Sequence, residues 1–418
     1  MAAPDLVPFA IRALNAGDLA AAEIAARETL DGAPGDAASL HLLGVIAARV
    51  RAFDKAVAYF EQALAGEPGN DQIARNLAAA RAAPRPEQSA VPRYLVIREW
   101  GFGFWSDVSH VLGALLLAET TGRIPVTWWG AASLFGDGEN HDAFQLYFQP
   151  VSDVTLENLP AANFFPPRWN KANLKESDTT KLNGKGRRAG ALYFLNRPEI
   201  VAVSDFYIAV KNVMPWLPPD HPMRDKPLDA VYRYLAEKYL SPRANIVAAC
   251  DAFFEAHLTG APFVAVHLRG SDKMREVLDA DTVNRAILSL TAQMDPAWRI
   301  LVLTDDERCL AMAHTAFGNR VVATQCQRSS MEEGVHYLPT TDRVQAGREI
   351  MLDSYLALRA DHFIGSGLSN VSAIIAVLKG WPSGPASLVG HCILADRQLR
   401  IYQVPIQAAD TRAPRGPV

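Results

Sequence analysis

The chain has 418 residues, 41 basic and 45 acidic side chains, a formal net charge of -4 and 49% apolar residues. That length holds two or three domains with a sizeable core, and the balance of apolar and charged residues is that of an ordinary globular protein. A charge this close to neutral excludes a general pull toward nucleic acid or an acidic membrane surface.

The opening MAAPDLVPFA has neither the basic start nor the long apolar stretch of a secretory signal. The longest apolar runs, such as Val111 to Ala118, are too short to span a bilayer. Cys250, Cys309, Cys326 and Cys392 are scattered and form no C-x-x-C pair, so neither a disulfide framework nor a zinc knuckle is expected. A cytoplasmic protein with no membrane span, no metal and no nucleic-acid partner is the expectation.

The first elements are helical. APGD before Ala37 and EPGN before Asp71 repeat at the step from Pro34 to Pro68, and that step is the tetratricopeptide period. Leu40, Leu43, Gly44, Ala56, Phe60 and Ala63 carry the small and large positions of the second unit, and Ala22 and Leu30 stand in register with Ala56 and Leu64. Asp71 to Ala82 reads as a capping helix. Residues 1–83 are therefore expected to form a short all-α tetratricopeptide-repeat domain. Two repeats and a cap bury little surface, so this unit should lean on the next domain. Its small-residue concave face suits a protein partner or acceptor.

The proline-rich segment 84–92 reads as a linker. Strand candidates follow at Tyr94 to Ile97 and Ile124 to Trp129, with Val108, Val111, Leu112 and Leu115 at helical spacing between them. The polar stretch from Phe164 to Arg188 reads as a long loop. Strands resume at Phe263 to Leu268, Ile300 to Thr304, Val321 to Ala323 and His362 to Ile364, separated by helical patterns. Such alternation predicts an α/β fold with parallel sheets. Two blocks, 93–250 and 251–418, are expected as Rossmann-like halves about a cleft, with ligands beyond the C-terminal strand ends.

Four polar loops stand at those ends. HLRGSDK, His267 to Lys273, follows the strand FVAVHL. The planar fork of Arg269 suits a pyrophosphate, and its fixed charge offsets charge developing on a departing nucleotide diphosphate. Lys273 adds a second charge, and the alternative is an Arg269–Asp272 pair that only ties the loop. TDDE, Thr304 to Glu307, offers Asp305 and Asp306 to a guanine edge, or else a helix N-cap. GSGLSN, Gly365 to Asn370, precedes an apolar helix and could bring backbone amides to an anion. WGFGFWSD, Trp100 to Asp107, permits a tight strand-to-helix turn, but Ser106 stands where the dinucleotide fingerprint needs its third glycine.

In this order the four motifs resemble those of the superfamily of α1,2-, α1,6- and protein O-fucosyltransferases, over roughly Arg93 to Val404. The α1,6 branch, with the rhizobial nodulation enzyme, is the most similar. HLRGSDK resembles its H-x-R-R-x-D motif, TDDERCLA its second and DSYLALRADHFIGSGLSNVSAII its third. The resemblance implies a GT-B-like fold, GDP-fucose as donor substrate with no other cofactor, and metal-independent transfer with inversion to a glycan or protein acceptor. It implies that His267 sits by the nucleotide, Arg269 holds the β-phosphate, Asp305 or Asp306 reads guanine, and Asp353, Ser366 and Ser369 order the donor pocket. Two departures stand out. The paired arginine of the motif is Gly270, and Glu276 lies one position short of the glutamate base, in whose slot Val277 stands. The base candidates are thus Glu276 and Asp272. A non-catalytic scaffold for a sugar nucleotide or protein, and an enzyme using another nucleotide sugar, are the alternative readings.

Overall fold

The computed structural model describes residues 6–84, 91–161, 163–176, 190–270, 280–330, 335, 338, 342–382, 384 and 386–396. The first five elements are helices: α1 Val7–Asn15, α2 Leu19–Gly32, α3 Ala37–Arg49, α4 Phe53–Gly66 and α5 Asp71–Ala82. Their starts are written in the sequence. Asp18, Asp36 and Asn70 each accept a backbone N–H of the turn they precede, which satisfies donors the helix itself cannot. Consecutive helices pack in pairs, and Gly44 lies so close to Phe60 that a Cβ there would overlap the ring.

This helical unit rests on residues 190–216. Ala20, Ala22, Ala25 and Ala26 of α2 are fully buried, and Ala20 lies against Gly190. Lys55 donates to the Pro215 carbonyl at 3.0 Å, and Asn196 donates to the Val50 carbonyl at 3.0 Å. Glu23, only 3% exposed, accepts from Trp216 Nε1 at 2.7 Å and from Arg27 Nε at 2.8 Å. Small side chains on α2 let the two surfaces approach, and the buried Glu23 carboxylate and Trp216 N–H between them are bonded to each other.

The remainder is α/β with two parallel sheets. The first comprises β1 Tyr94–Arg98, β2 Ile124–Trp128, β3 Phe164–Phe165 and β4 Val201–Ser204, in the order β2-β1-β4-β3. Helix α6, Phe104–Thr121, joins β1 to β2 and ends at Gly122 in the left-handed conformation. After β4 come the short α7 Val210–Val213, then α8 Leu228–Tyr239 and α9 Ala244–His257. The second sheet comprises β5 Phe263–His267, β6 Arg299–Leu303, β7 Val321–Val322, β8 His362–Ser366 and β9 Ser387–Val389, in the order β7-β6-β5-β8-β9. Its helices are α10 Ala280–Thr291, α11 Glu307–Phe317, α12 Arg343–Ala357 and α13 Asn370–Leu378.

The central strands are buried along almost all of their length, and their interiors, Leu95 to Ile97, Phe263 to Val266 and Phe363 to Ile364, are apolar without alternation. Alternate residues nevertheless serve different cores. Val264, Val266, Ile300, Val302 and Ile364 pack on one face of the second sheet with Ile287 and Ala313. Phe263, Ala265, Leu301, Leu303 and Phe363 turn to the other face and join the core that holds Leu95, Ile97 and α6. Helix α13 packs against α6 and α8, and α9 packs against α12. The point between residues 250 and 251 lies within α9. Of the stretch expected as a loop from Phe164 to Arg188, Phe164 and Phe165 pair with β4, and residues 177–189 lie outside the described residues. Among the described residues no helix is long and apolar enough to cross a membrane.

Candidate active site

The three loops read from the second block meet at one edge. β5 lies between β6 and β8, with His267 opposite Leu303 and Val266 opposite Ile364. The last bond between β5 and β6 runs from Leu268 N–H to the Leu303 carbonyl at 3.0 Å. Residues 267–270, 304–306 and 366–369 therefore share the C-terminal edge of the sheet.

His267 is buried, and its Nδ1 lies 2.6 Å from Ser372 Oγ in the first turn of α13. Burial, aided by the nearby Arg269 charge, pushes its pKa down to about 3, so the ring is neutral near pH 7. It supplies a hydrogen-bonding edge and no charge. Arg269 is half-buried. Its backbone N–H donates to Asn284 Oδ1 at 3.0 Å and its carbonyl accepts from Asn284 Nδ2 at 2.7 Å. Asp272, Lys273 and Glu276 belong to 271–279, outside the described residues.

The two acids after β6 have separate fates. Asp306 is fully buried and caps α11, with Oδ1 accepting the Arg308 N–H at 2.7 Å. The Arg308 guanidinium takes the same carboxylate through Nε at 3.2 Å and Nη2 at 2.7 Å. Both oxygens are thus engaged, and the capping reading describes Asp306. Asp305 stays partly exposed at the edge. Gly270 packs directly on Asp306, where a Cβ would overlap the carboxylate. This contact explains why residue 270 carries no side chain: a larger residue would displace the cap of α11.

Between β8 and α13 the chain turns through Ser366 to Ser369. Ser366 Oγ accepts the Leu368 N–H at 3.3 Å. Ser369 holds the N-cap position, but its hydroxyl makes no cap bond. That hydroxyl is buried without a hydrogen-bond partner among the described residues, beside the N–H groups of the first turn of α13. Asp353, on α12, stands farther back. Thr324 Oγ1 donates to its Oδ1 at 2.5 Å, and burial raises its pKa to about 7. Through Thr324 it supports residues 324–329, whose Ser329 is bonded to Asp305 and Glu307 through the backbone. Asp353 thus braces the wall behind the edge. Among the described residues, no three His, Cys, Asp or Glu side chains are grouped to hold a metal ion.

The glycine loop after β1 is shaped by Asp107. Its Oδ1 accepts the N–H groups of Trp100 at 3.0 Å and Gly101 at 2.8 Å, and Gly101 adopts a φ of 86°. Burial, with Glu99 nearby, raises the Asp107 pKa to about 8. At the start of α6, Trp105 Nε1 donates to Ser354 Oγ on α12 at 2.7 Å. This bond ties the loop of the first sheet to the second. Asn284 and Thr324 lie outside the motifs, and Trp105, Ser354 and Ser372 lie within them without any role being read for them. Asn284 is one of several polar residues in the helical pattern Val283, Ile287, Leu290, and its burial is visible only in three dimensions.

No family model matches the chain, and no curated protein matches it. Similar solved structures include fucosyltransferase NodZ from Bradyrhizobium, at 18% identity over 68% of this chain and 93% of that one, with a TM-score of 0.47. A point mutant of FUT1 from Arabidopsis thaliana in complex with GDP has 12% identity over 82% of this chain and 78% of that one, with a TM-score of 0.44. POFUT1 in complex with GDP-fucose has 15% identity over 72% of this chain and 100% of that one, with a TM-score of 0.45.

Proposed function

We propose that this protein is a glycosyltransferase that transfers fucose from GDP-fucose to a glycan or protein acceptor, with inversion and without a metal ion. The observation that carries the reading is the meeting of Arg269, neutral His267, Asp305 and Ser369 at one sheet edge, in loops whose sequences resemble the fucosyltransferase motifs. Each group has a task suited to a sugar diphosphate. The Arg269 fork bonds the β-phosphate and offsets charge as the diphosphate departs. The Ser369 hydroxyl and the first-turn N–H groups of α13 receive phosphate oxygens. Asp305 accepts from the N1–H and amine of guanine, a role closed to Asp306 by its bonds to Arg308.

In the transfer step the acceptor oxygen bonds to the anomeric carbon as the carbon–oxygen bond to the phosphate breaks on the opposite face. The electron pair leaves with GDP, and the hydroxyl proton passes to a carboxylate, for which Glu276 and Asp272 are the candidates. The two parallel sheets correspond in this reading to the halves of a GT-B-like fold, and the helical unit to tetratricopeptide repeats. That unit also acts as a buttress, because α2 is filled by residues 190–216 of the same chain. A recruiting role for a protein partner is then left to its opposite face.

A thermal-shift comparison tests the donor. GDP at about a hundred times its Kd is expected to stabilise the fold by about 2.7 kcal/mol, whereas UDP at equal concentration leaves the melting temperature unchanged. EDTA should alter neither result. Equal stabilisation by UDP overturns the guanine assignment, and loss of the GDP effect in chelator overturns metal independence.

A further inference from the structure

The ladder between β5 and β6 stops at Leu268, yet the next residue is held as firmly as a strand residue. Asn284 takes over where the sheet ends. Its side-chain amide bonds both the N–H and the carbonyl of Arg269, at 3.0 and 2.7 Å, as a neighbouring strand would. The amide is 1% exposed, and its Nδ2 also lies 3.5 Å from Cys309 Sγ on α11. A buried amide is costly unless bonded, and here both of its bonds to oxygen or nitrogen partners go to one residue's backbone. Fixing the N–H and carbonyl of residue 269 fixes the direction in which its Cβ leaves the chain. A guanidinium four bonds farther out is displaced by an ångström or more when that direction drifts.

We infer that Asn284 is a positioning residue for the Arg269 guanidinium, acting through the Arg269 backbone. The inference rests on the assignment of Arg269 to the diphosphate of the donor. It makes nucleotide affinity depend on Asn284 only while the Arg269 side chain is present. A clamp that merely held the fold together would affect binding equally with or without that side chain.

The test is a double-mutant cycle on the full chain, with GDP affinity read by calorimetry. Asn284→Asp keeps the volume and the acceptor but turns the donor facing the Arg269 carbonyl into a second acceptor. It is expected to weaken GDP about tenfold in the parent chain and less than about twofold in the Arg269→Ala background. The acid form of the new carboxyl again offers one donor and one acceptor, so the deficit relative to the parent should narrow as pH is lowered. Equal weakening in both backgrounds, or none in the parent chain while Arg269→Ala does weaken GDP, overturns the positioning role and leaves the donor assignment standing. Unchanged GDP affinity in Arg269→Ala alone overturns the assignment and the inference with it. If Asn284→Asp does not fold, Asn284→Ser, whose hydroxyl reaches only one of the two backbone groups, is read by the same criteria.

Discussion

Arg269→Ala is expected to lower fucose transfer at least about a hundredfold, equivalent to about 3 kcal/mol of lost leaving-group stabilisation, while the chain stays folded. Both halves of the expectation come from the geometry. The backbone of residue 269 is held by Asn284, so the loop does not need the Arg269 side chain to keep its path. His267 is neutral and cannot take over as a cation. Arg269→Lys should recover little, because a single ammonium cannot reproduce two parallel bonds to a phosphate. Turnover with GDP-fucose, measured beside a circular dichroism spectrum and a melting curve, checks the result. Near-normal turnover in the alanine variant would remove Arg269 from the reaction.

The second large effect is on stability and arises far from the nucleotide edge. Glu23 accepts from both Arg27 and Trp216, and the Arg27 guanidinium sits over the rings of Tyr59 and Trp216 at 5.7 and 5.4 Å. Burial works against the Arg27 charge, and Tyr59 and Glu23 more than restore it. Glu23→Ala removes the carboxylate from this buried cluster and takes the bonded partner from the Trp216 N–H. Breaking a buried pair in this way costs about 3 kcal/mol or more, and in a chain of this length the melting temperature should fall by roughly 3 °C or more. Glu23→Gln, which keeps an acceptor for Trp216, should lose less. Unchanged melting in Glu23→Ala would mean that the helical unit contributes little to the stability of the rest.

Much of the second sheet was legible because its strands are buried on both faces. FVAV and ILVL are unbroken apolar runs, HFI carries a shorter apolar pair, and all three end in polar loops, where ligands meet an open sheet. Two short strands were not legible: Val201–Ser204 and Ser387–Val389 are four and three residues long and carry no period of their own. They are strands because a neighbour offers a ladder, which no local pattern announces. The same holds at the site. Asp305 and Asp306 are adjacent in sequence and equal on paper, and only the approach of Arg308 and Gly270 separates their roles. The repeat spacing marked the helical unit, but not that Trp216, almost two hundred residues later, would complete the bonding of Glu23.

Hydrogen–deuterium exchange with and without GDP addresses the central claim directly, since it reports where the nucleotide binds without presuming activity. GDP is expected to slow exchange at the amides of residues 267–270 and 366–372, the loops that leave β5 and β8, with a smaller effect at 304–309. Protection confined to the loops after β1 and β2, or no protection at the second sheet under conditions where GDP is bound, would contradict a donor site at that edge.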